Sequence, residues 1–400
     1  MGVLMNTRLQ WHMKKATAAL LVTCMLAFSS HTYAQETDLI AIYEKALAHD
    51  ALLASMRFEN QAVQELISQG RSLFLPSITA TLGYDENDNA RKILTPAAAS
   101  NALLSGNEAV YHSYDYGITV TQPLFNYGAF QQYKQILSQT SLSEKKLLQV
   151  QQELIYRVAL VYFETLMARD EIGLLQAQKA SINEQLIESE ARYDVGLISI
   201  TDVNESKTKA AMIDAQIIAA IQRLKIKNRQ IESLTGELPD KIKGINSRVS
   251  FVAVTDMMED WISLATENNL ELKIKEDEIK IADTEIDVRR SNHYPTVDAV
   301  ASRSRNWDKG GYPYGGIENE GVRSFSDVLG VQINIPIFSG GYTSSRVREA
   351  QKLKLKTAEE AEYLKRQVEL KVREHYLNLQ ANFAEIEAYQ QALNSATLQV

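Results

Sequence analysis

Gln122-Pro123-Leu124-Phe125-Asn126-Tyr127-Gly128 opens the stretch around which this 400-residue chain is organised, and that stretch runs on to Val203. After Pro123 no proline occurs until Pro239, and Gly173 is the only glycine between Gly128 and Gly196. A segment that long without breakers exceeds an ordinary globular helix. At about 1.5 Å per residue it would span roughly 100 Å. Apolar residues recur every seven positions at Leu147, Leu154, Val161, Ala168, Leu175 and Ile182. A second register reads Val158, Ile172 and Leu186, with Gln151, Thr165 and Lys179 between them. This is a coiled-coil seam with polar interruptions, so the helix needs a partner along its length. It ends at Arg192-Tyr193-Asp194-Val195-Gly196-Leu197-Ile198-Ser199-Ile200-Thr201-Asp202-Val203. Gly196 suits a left-handed stop. Thr201 or Asp202 can cap the next helix, which returns through Leu234. The expected product is a long helical hairpin with a tight turn.

The N-terminus speaks to compartment. Arg8, Lys14 and Lys15 precede an apolar run from Ala16 to Phe28, and Thr32-Tyr33-Ala34 reads as a small-residue cleavage site before Gln35. Residues 1–34 thus follow the pattern of a secretory signal peptide rather than a buried helix. Leu21-Val22-Thr23-Cys24 only weakly resembles a lipoprotein box, because Thr23 is the wrong size and the apolar run continues past it. Cys24 is the only cysteine, so a chain cleaved after Ala34 carries no disulfide or thiol chemistry. A formal net charge of −8 argues against nucleic acid and against a polybasic membrane-surface role. No stretch beyond the signal approaches the roughly 20 apolar residues of a spanning helix, so membrane crossing would require a closed β-barrel.

The chain repeats itself once. A helical pattern from Asp38 to Gly70 ends at Leu75-Pro76-Ser77. Ile78, Ala80, Leu82 and Tyr84 then alternate with Thr79, Thr81 and Gly83. A polar loop is expected over 85–108. Tyr116, Ile118 and Val120 alternate with Gly117, Thr119 and Thr121, and Pro123 closes that strand at the first turn of the long helix. The second half replays this order. Asn269-Leu270-Glu271-Leu272 matches Asp50-Ala51-Leu52-Leu53, and Tyr294-Pro295-Thr296 matches Leu75-Pro76-Ser77, both at an offset of 219. Strand-like Val297 to Ser302 leads into a Gly- and Tyr-containing loop, Trp307 to Gly321. Leu329, Val331, Ile333 and Ile335 alternate next, and Pro336-Ile337-Phe338-Ser339-Gly340-Gly341 precedes a second long helix to the last residue. The division expected is 35–235 for the first repeat, 236–268 for a linker and equatorial region with a short helix, and 269–400 for the second repeat. Each repeat contributes two strands with the alternation of outer-membrane strands, and four strands are too few to close a membrane barrel alone. Several copies must then contribute. A soluble sheet edge beside a helical bundle is the competing reading.

On these residues the chain resembles the TolC family of outer-membrane efflux and type I secretion channels. The Arg192–Val203 turn is similar to that family's periplasmic helix-turn-helix tip, and the prolines Pro76, Pro123, Pro295 and Pro336 are similar to its helix–strand junctions. The resemblance implies an α+β membrane protein and a homotrimer. Each protomer would give four strands to one outer-membrane β-barrel, continuous with a long periplasmic coiled-coil tunnel. It implies a periplasmic adaptor, an inner-membrane ABC or RND transporter and outer-membrane lipid as partners. Val195, Gly196, Leu197 and Thr201 match the positions that meet the adaptor. Thr201 and Asp202 match positions whose polar links help hold the tunnel closed, alongside the plain capping role already noted. At an offset of 214 the second tip would fall near positions 409 to 416, beyond Val400. The second hairpin is therefore expected to lack its turn and returning helix.

No other chemistry stands out. The histidines, among them His49, His112, His293 and His375, are scattered without metal-ligand spacing. No phosphate loop or nucleophile elbow is found, so neither a cofactor nor a catalytic reaction is expected. Glu276-Asp277-Glu278 and Glu359-Glu360 fit solvated helix faces. Tyr84, Tyr111, Tyr114, Tyr116, Phe125, Trp307, Tyr312, Tyr314, Phe325 and Phe338 could form interfacial girdles. The expected function is a passive export duct gated at its tip, with drug efflux and protein secretion as its two uses. A periplasmic coiled-coil scaffold without a pore, or a truncated channel protein that does not function, is the alternative.

Overall fold

The computed structural model describes residues 37–90, 108–245, 257–311 and 320–398. In chain order the elements are α1 (Leu39–His49), α2 (Ala51–Ser72), β1 (Ser77–Ala90), β2 (Glu108–Asn126), α3 (Tyr127–Asp194), α4 (Ile200–Thr235), α5 (Met258–Asn268), α6 (Leu270–Arg290), β3 (Thr296–Lys309), β4 (Val322–Asn334) and α7 (Tyr342–Thr397). A 3-10 turn, Ser291–His293, joins α6 to β3. The chain divides into two compact units, residues 1–53 with 152–250 and residues 54–151 with 251–400. Among the described residues no helix is long and apolar enough to cross a membrane. The expected signal peptide over 1–34 lies outside the described residues.

The second unit holds one antiparallel sheet in the order β1-β2-β3-β4. Register follows the apolar alternation, because slipping by one residue would turn every side chain to the other face. Ile78, Ala80, Leu82 and Tyr84 stand opposite Val120, Ile118, Tyr116 and Tyr114. Val120 is paired in turn with Ala301, and Ala301 with Leu329. The result is one apolar face, on which Leu82 is 88% and Leu329 86% exposed. The opposite face is mainly polar or small, as in the Thr81–Gly117–Ser304–Ser326 row.

All four strands outrun the alternation that announced them. Asp85 to Ala90, read as loop, continue β1, and Trp307 to Lys309 continue β3. Side-chain bonds hold this polar end together. Asn87 Nδ2 donates to Ser113 Oγ at 2.9 Å, and Ser113 Oγ donates to Asp308 Oδ1 at 2.6 Å. Asn306 Nδ2 donates to Asp115 Oδ1 at 2.6 Å. The expected girdle aromatics Tyr312 and Tyr314 fall outside the described residues. Tyr84, Tyr114 and Trp307 do line up across three strands, with ring centroids 5.3 and 5.6 Å apart.

Pro123 departs from its expected place in the first turn of the long helix. It lies within β2, at a bulge between Pro123 and Phe125, and the helix starts at Tyr127. The β1 pairing has already ended at Thr121, so this stretch of β2 has a free side. Bulges and free edges are where a strand accepts a residue without an N–H. Pro76 and Pro295 directly precede β1 and β3, and Pro336 lies between β4 and α7. Gly70 allows the close approach of α2 and α3, since a Cβ there would sit 2.9 Å from both Ile136 and Tyr133 side-chain atoms.

The helix expected from Asp38 to Gly70 is broken at Asp50. Asp50 has φ −63° and ψ 115°, closes α1 through its N–H to Ala46 O at 2.8 Å, and accepts the Leu53 N–H at 2.7 Å. Asn269 repeats this device between α5 and α6, closing on Ala265 O at 2.9 Å and accepting the Leu272 N–H at 3.1 Å. Asp50 is also 5% exposed and meets Arg157 through two bonds of 3.0 and 3.2 Å. In the second unit Asp277 corrects another expectation. It is buried, not solvated, at 2% exposure, and takes bonds from Lys145, Lys280 and Ser141.

Burial opposes ionisation of both aspartates, but their cationic partners and donors outweigh it and hold each carboxyl below its ordinary value of 3.8. A carboxylate with a lowered folded pKa stabilises above its unfolded pKa and loses that contribution as pH falls through the folded one. Helical circular dichroism should therefore fall as pH drops below about 4. Asp50→Ala leaves a partly buried guanidinium without its carboxylate and should cost about 3 kcal/mol in thermal or denaturant unfolding, the low end of the range for broken buried pairs. Asp50→Asn keeps the cap, as Asn269 does, and should cost less than Asp50→Ala.

Candidate functional site: the hairpin turn

Helices α3 and α4 pair in antiparallel fashion within the first unit. Leu175, Ile213 and Ala220 form a buried cluster, with Ile172, Ile182 and Ile217 packed against it. Leu154, Val158, Tyr162 and Leu166 are buried further along α3. Two of the three polar interruptions of the seam, Thr165 and Lys179, are accounted for within this unit. Thr165 is buried and returns its hydroxyl to Val161 O at 2.6 Å. Lys179 reaches Asp214 at 2.5 Å. Glu164–Lys227, Glu171–Arg223 and Glu190–Lys207 complete a ladder of ion pairs between the helices, at 2.7, 2.5 and 3.0 Å. Each is at least partly exposed, so together they set register more than they add stability.

The pairs straddle the turn. Its first half is a Schellman motif, with Leu197 N–H donating to Arg192 O at 2.9 Å and Gly196 N–H to Tyr193 O at 2.8 Å. Gly196 sits at φ +78°, the left-handed region where a side chain is strained. Its second half is a capping box. Ser199, not Thr201 or Asp202, is the N-cap. Ser199 Oγ accepts the Asp202 N–H at 3.4 Å, and Asp202 Oδ2 accepts the Ser199 N–H at 2.9 Å. The Ser-x-x-Asp spacing signals this box, although Glu or Gln is its commoner partner. Thr201 falls in the first turn of α4 and is exposed. Val195 and Leu197 are 70% and 74% exposed, and Ile200 is half-exposed, whereas Val203 is buried. The turn therefore presents three apolar side chains to its surroundings on a rigidly bonded backbone.

At the other end of this hairpin Gly236 ends α4 at φ +78°. Beyond it the chain pairs with the N-terminal segment through Thr37 N–H to Lys241 O at 2.8 Å and Lys243 N–H to Thr37 O at 3.1 Å. Tyr162 Oη donates to Lys243 O at 2.6 Å, and Arg169 donates to Ile242 O at 3.0 Å. These contacts were not visible in the sequence, where 236–250 has only breakers to show.

The model of the family described as outer membrane efflux protein matches residues 42–237 and 261–400. Outer membrane protein TolC of Vibrio cholerae is 27% identical over 96% of this chain and 83% of its own length. The proteases secretion protein PrtF of Dickeya chrysanthemi is 27% identical over 94% of this chain and 80% of its own. Crystal structures of CusC and of VceC from Vibrio cholerae share the fold, each with a TM-score of 0.67, at 15% and 16% identity. They cover 92% and 90% of this chain and are themselves covered to 81% and 82%. With that match across most of its length, the chain belongs to the outer membrane efflux protein family.

Proposed function

We propose that this protein is the outer-membrane exit duct of an efflux or type I secretion system, a passive conduit gated at its periplasmic tip. The sheet carries the proposal. Its strands of 13 to 19 residues exceed the 9–11 or so that cross a bilayer when tilted, and one of its faces is apolar and exposed. Among the described residues β1 and β4 each leave an edge without a strand partner. Hydrocarbon tolerates such a sheet only when its edges are closed. Three copies would supply twelve strands and close it. The relatives called TolC and PrtF are named for an outer-membrane protein and for protease secretion, which agrees with this reading.

The turn would supply the partner contact. Val195, Gly196, Leu197 and Thr201 form the surface for a periplasmic adaptor, and energy would come from an ABC or RND transporter in the inner membrane. Thr201 and Asp202 would hold the closed state through links to a neighbouring copy. The Asp202 carboxylate is already engaged by Ser199, so a link of this kind competes with the capping box. A gate built from such exchangeable bonds is easily biased by a docking partner.

Reconstituted into planar bilayers, the full chain should give discrete conductance steps, and a silent preparation that has inserted would overturn the proposal. Leu197→Asp should leave that conductance unchanged. It should weaken adaptor binding by about 2 kcal/mol, roughly 30-fold, through loss of one apolar side chain from the interface. Pull-down titration against the adaptor measures it.

A further inference from the structure

The apolar face of the sheet is interrupted at one end. Helices connect at the end marked by Ser77, Asn126, Thr296 and Asn334. Toward the opposite end, β3 and β4 place Arg303, Arg305 and Arg323 on the same face as Leu82, Ile118 and Leu329. Two of these cations, Arg303 and Arg305, share one nearby carboxylate. Arg303 lies 3.4 Å and Arg305 3.5 Å from the same Asp327 oxygen, both long for a charged pair. Arg305 lies over Phe325 with 4.6 Å to the ring centroid, and Arg323 over Trp307 at 4.7 Å. The acidic residues of this face at the same end, Glu86 and Asp88, stand on β1, with β2 between them and β3. The β3–β4 side therefore carries an excess of positive charge, partly fixed on aromatic rings, toward one end of the exposed apolar surface.

A lipid-facing arginine costs about 2–4 kcal/mol at the bilayer midplane and about 0–1 near the interface. The cluster is acceptable on this face only where polar headgroups meet it, and it is best matched where those headgroups are anionic. On the reading of the sheet as a barrel wall, the end opposite those helices is the outer one. We propose that Arg303, Arg305 and Arg323 bind the phosphate groups of an outer-leaflet glycolipid, whose acyl chains lie along Val120, Leu329 and Val331, nearer the helix-connected end of the same face. Guanidinium groups suit phosphate because their planar fork donates two parallel hydrogen bonds. Rings beneath Arg305 and Arg323 fix their orientation, and Asp327 holds Arg303 and Arg305 close together while leaving most donors free.

The test uses the full chain purified in detergent, with the fluorescence of Trp307 as one reporter and native mass spectrometry as another. Diphosphorylated lipid A is compared with the same lipid stripped of phosphate and with inorganic pyrophosphate. The diphosphorylated lipid should bind at least tenfold more tightly than either. Arg303→Gln combined with Arg305→Gln should abolish most of that preference, a loss on the order of 30-fold for two interfacial charges. Asp327→Asn frees both arginines and should tighten binding, which keeps the proposal testable if the double variant does not fold. Equal binding of the two lipids, or no change in either variant, would overturn the proposal. Pyrophosphate binding as tight as lipid A would reduce the cluster to a simple anion site and likewise overturn it. Detergent phase partition separates this failure from failure of the duct reading. A chain that stays in the aqueous phase contradicts the barrel, whereas one that enters the detergent phase without lipid preference contradicts only the glycolipid site.

Discussion

A backbone N–H or C=O placed in hydrocarbon must find a partner, because no water is there to supply one. That constraint governs how this sheet can be used. Among the described residues, β2 and β3 have neighbours on both sides, while β1 and β4 each keep one unpaired edge. In water such edges invite uncontrolled pairing and are usually short, charged or covered. Here they are 14 and 13 residues long and border a face on which large apolar side chains point outward. A soluble protein would aggregate through that surface. On the proposed reading, strands joined edge to edge with those of other copies would become a wall whose apolar side meets lipid and whose Thr- and Ser-rich side lines a wet interior.

The helical hairpin answers a different demand. A 68-residue helix cannot rely on propensity alone, since its stability comes from a packed face. α4 supplies that face through the Leu175–Ile213–Ala220 cluster, and the ion-pair ladder keeps the two helices in one register. The turn is held by bonds at both ends, a Schellman motif before and a capping box after, so its exposed Val195 and Leu197 are presented on a defined backbone. A surface of this kind loses little conformational entropy on docking.

Much of this was legible in the residues. Gly196 after a long heptad run announces the turn, and alternating apolar residues announce one face of β1, β2 and β4, whereas Val297 to Ser302 of β3 read only as strand-like. What stayed hidden has physical reasons. The polar continuation of β1 through Asn89 is held by side-chain bonds to β2, which no periodicity reports. The break at Asp50 is flanked by helix formers. Its only signal was the match to Asn269, two residues able to cap a helix at the same place in each repeat. Ser199 was passed over because an aspartate closes its box. Asp277 looked solvated because its partners Ser141 and Lys145 come from α3, far away in sequence.

The central claim is that free edges of neighbouring copies close on one another. Thr81 on β1 and the even-numbered residues 324–330 on β4 lie on the same polar face of the sheet. Thr81→Cys, combined in turn with Ser324→Cys, Ser326→Cys, Val328→Cys and Gly330→Cys, would be oxidised in membranes and run on denaturing gels. Within one chain these positions are separated by two intervening strands, too far for a disulfide. The account predicts that at least one pair gives covalent species up to three chains. Monomers alone from every pair would contradict it.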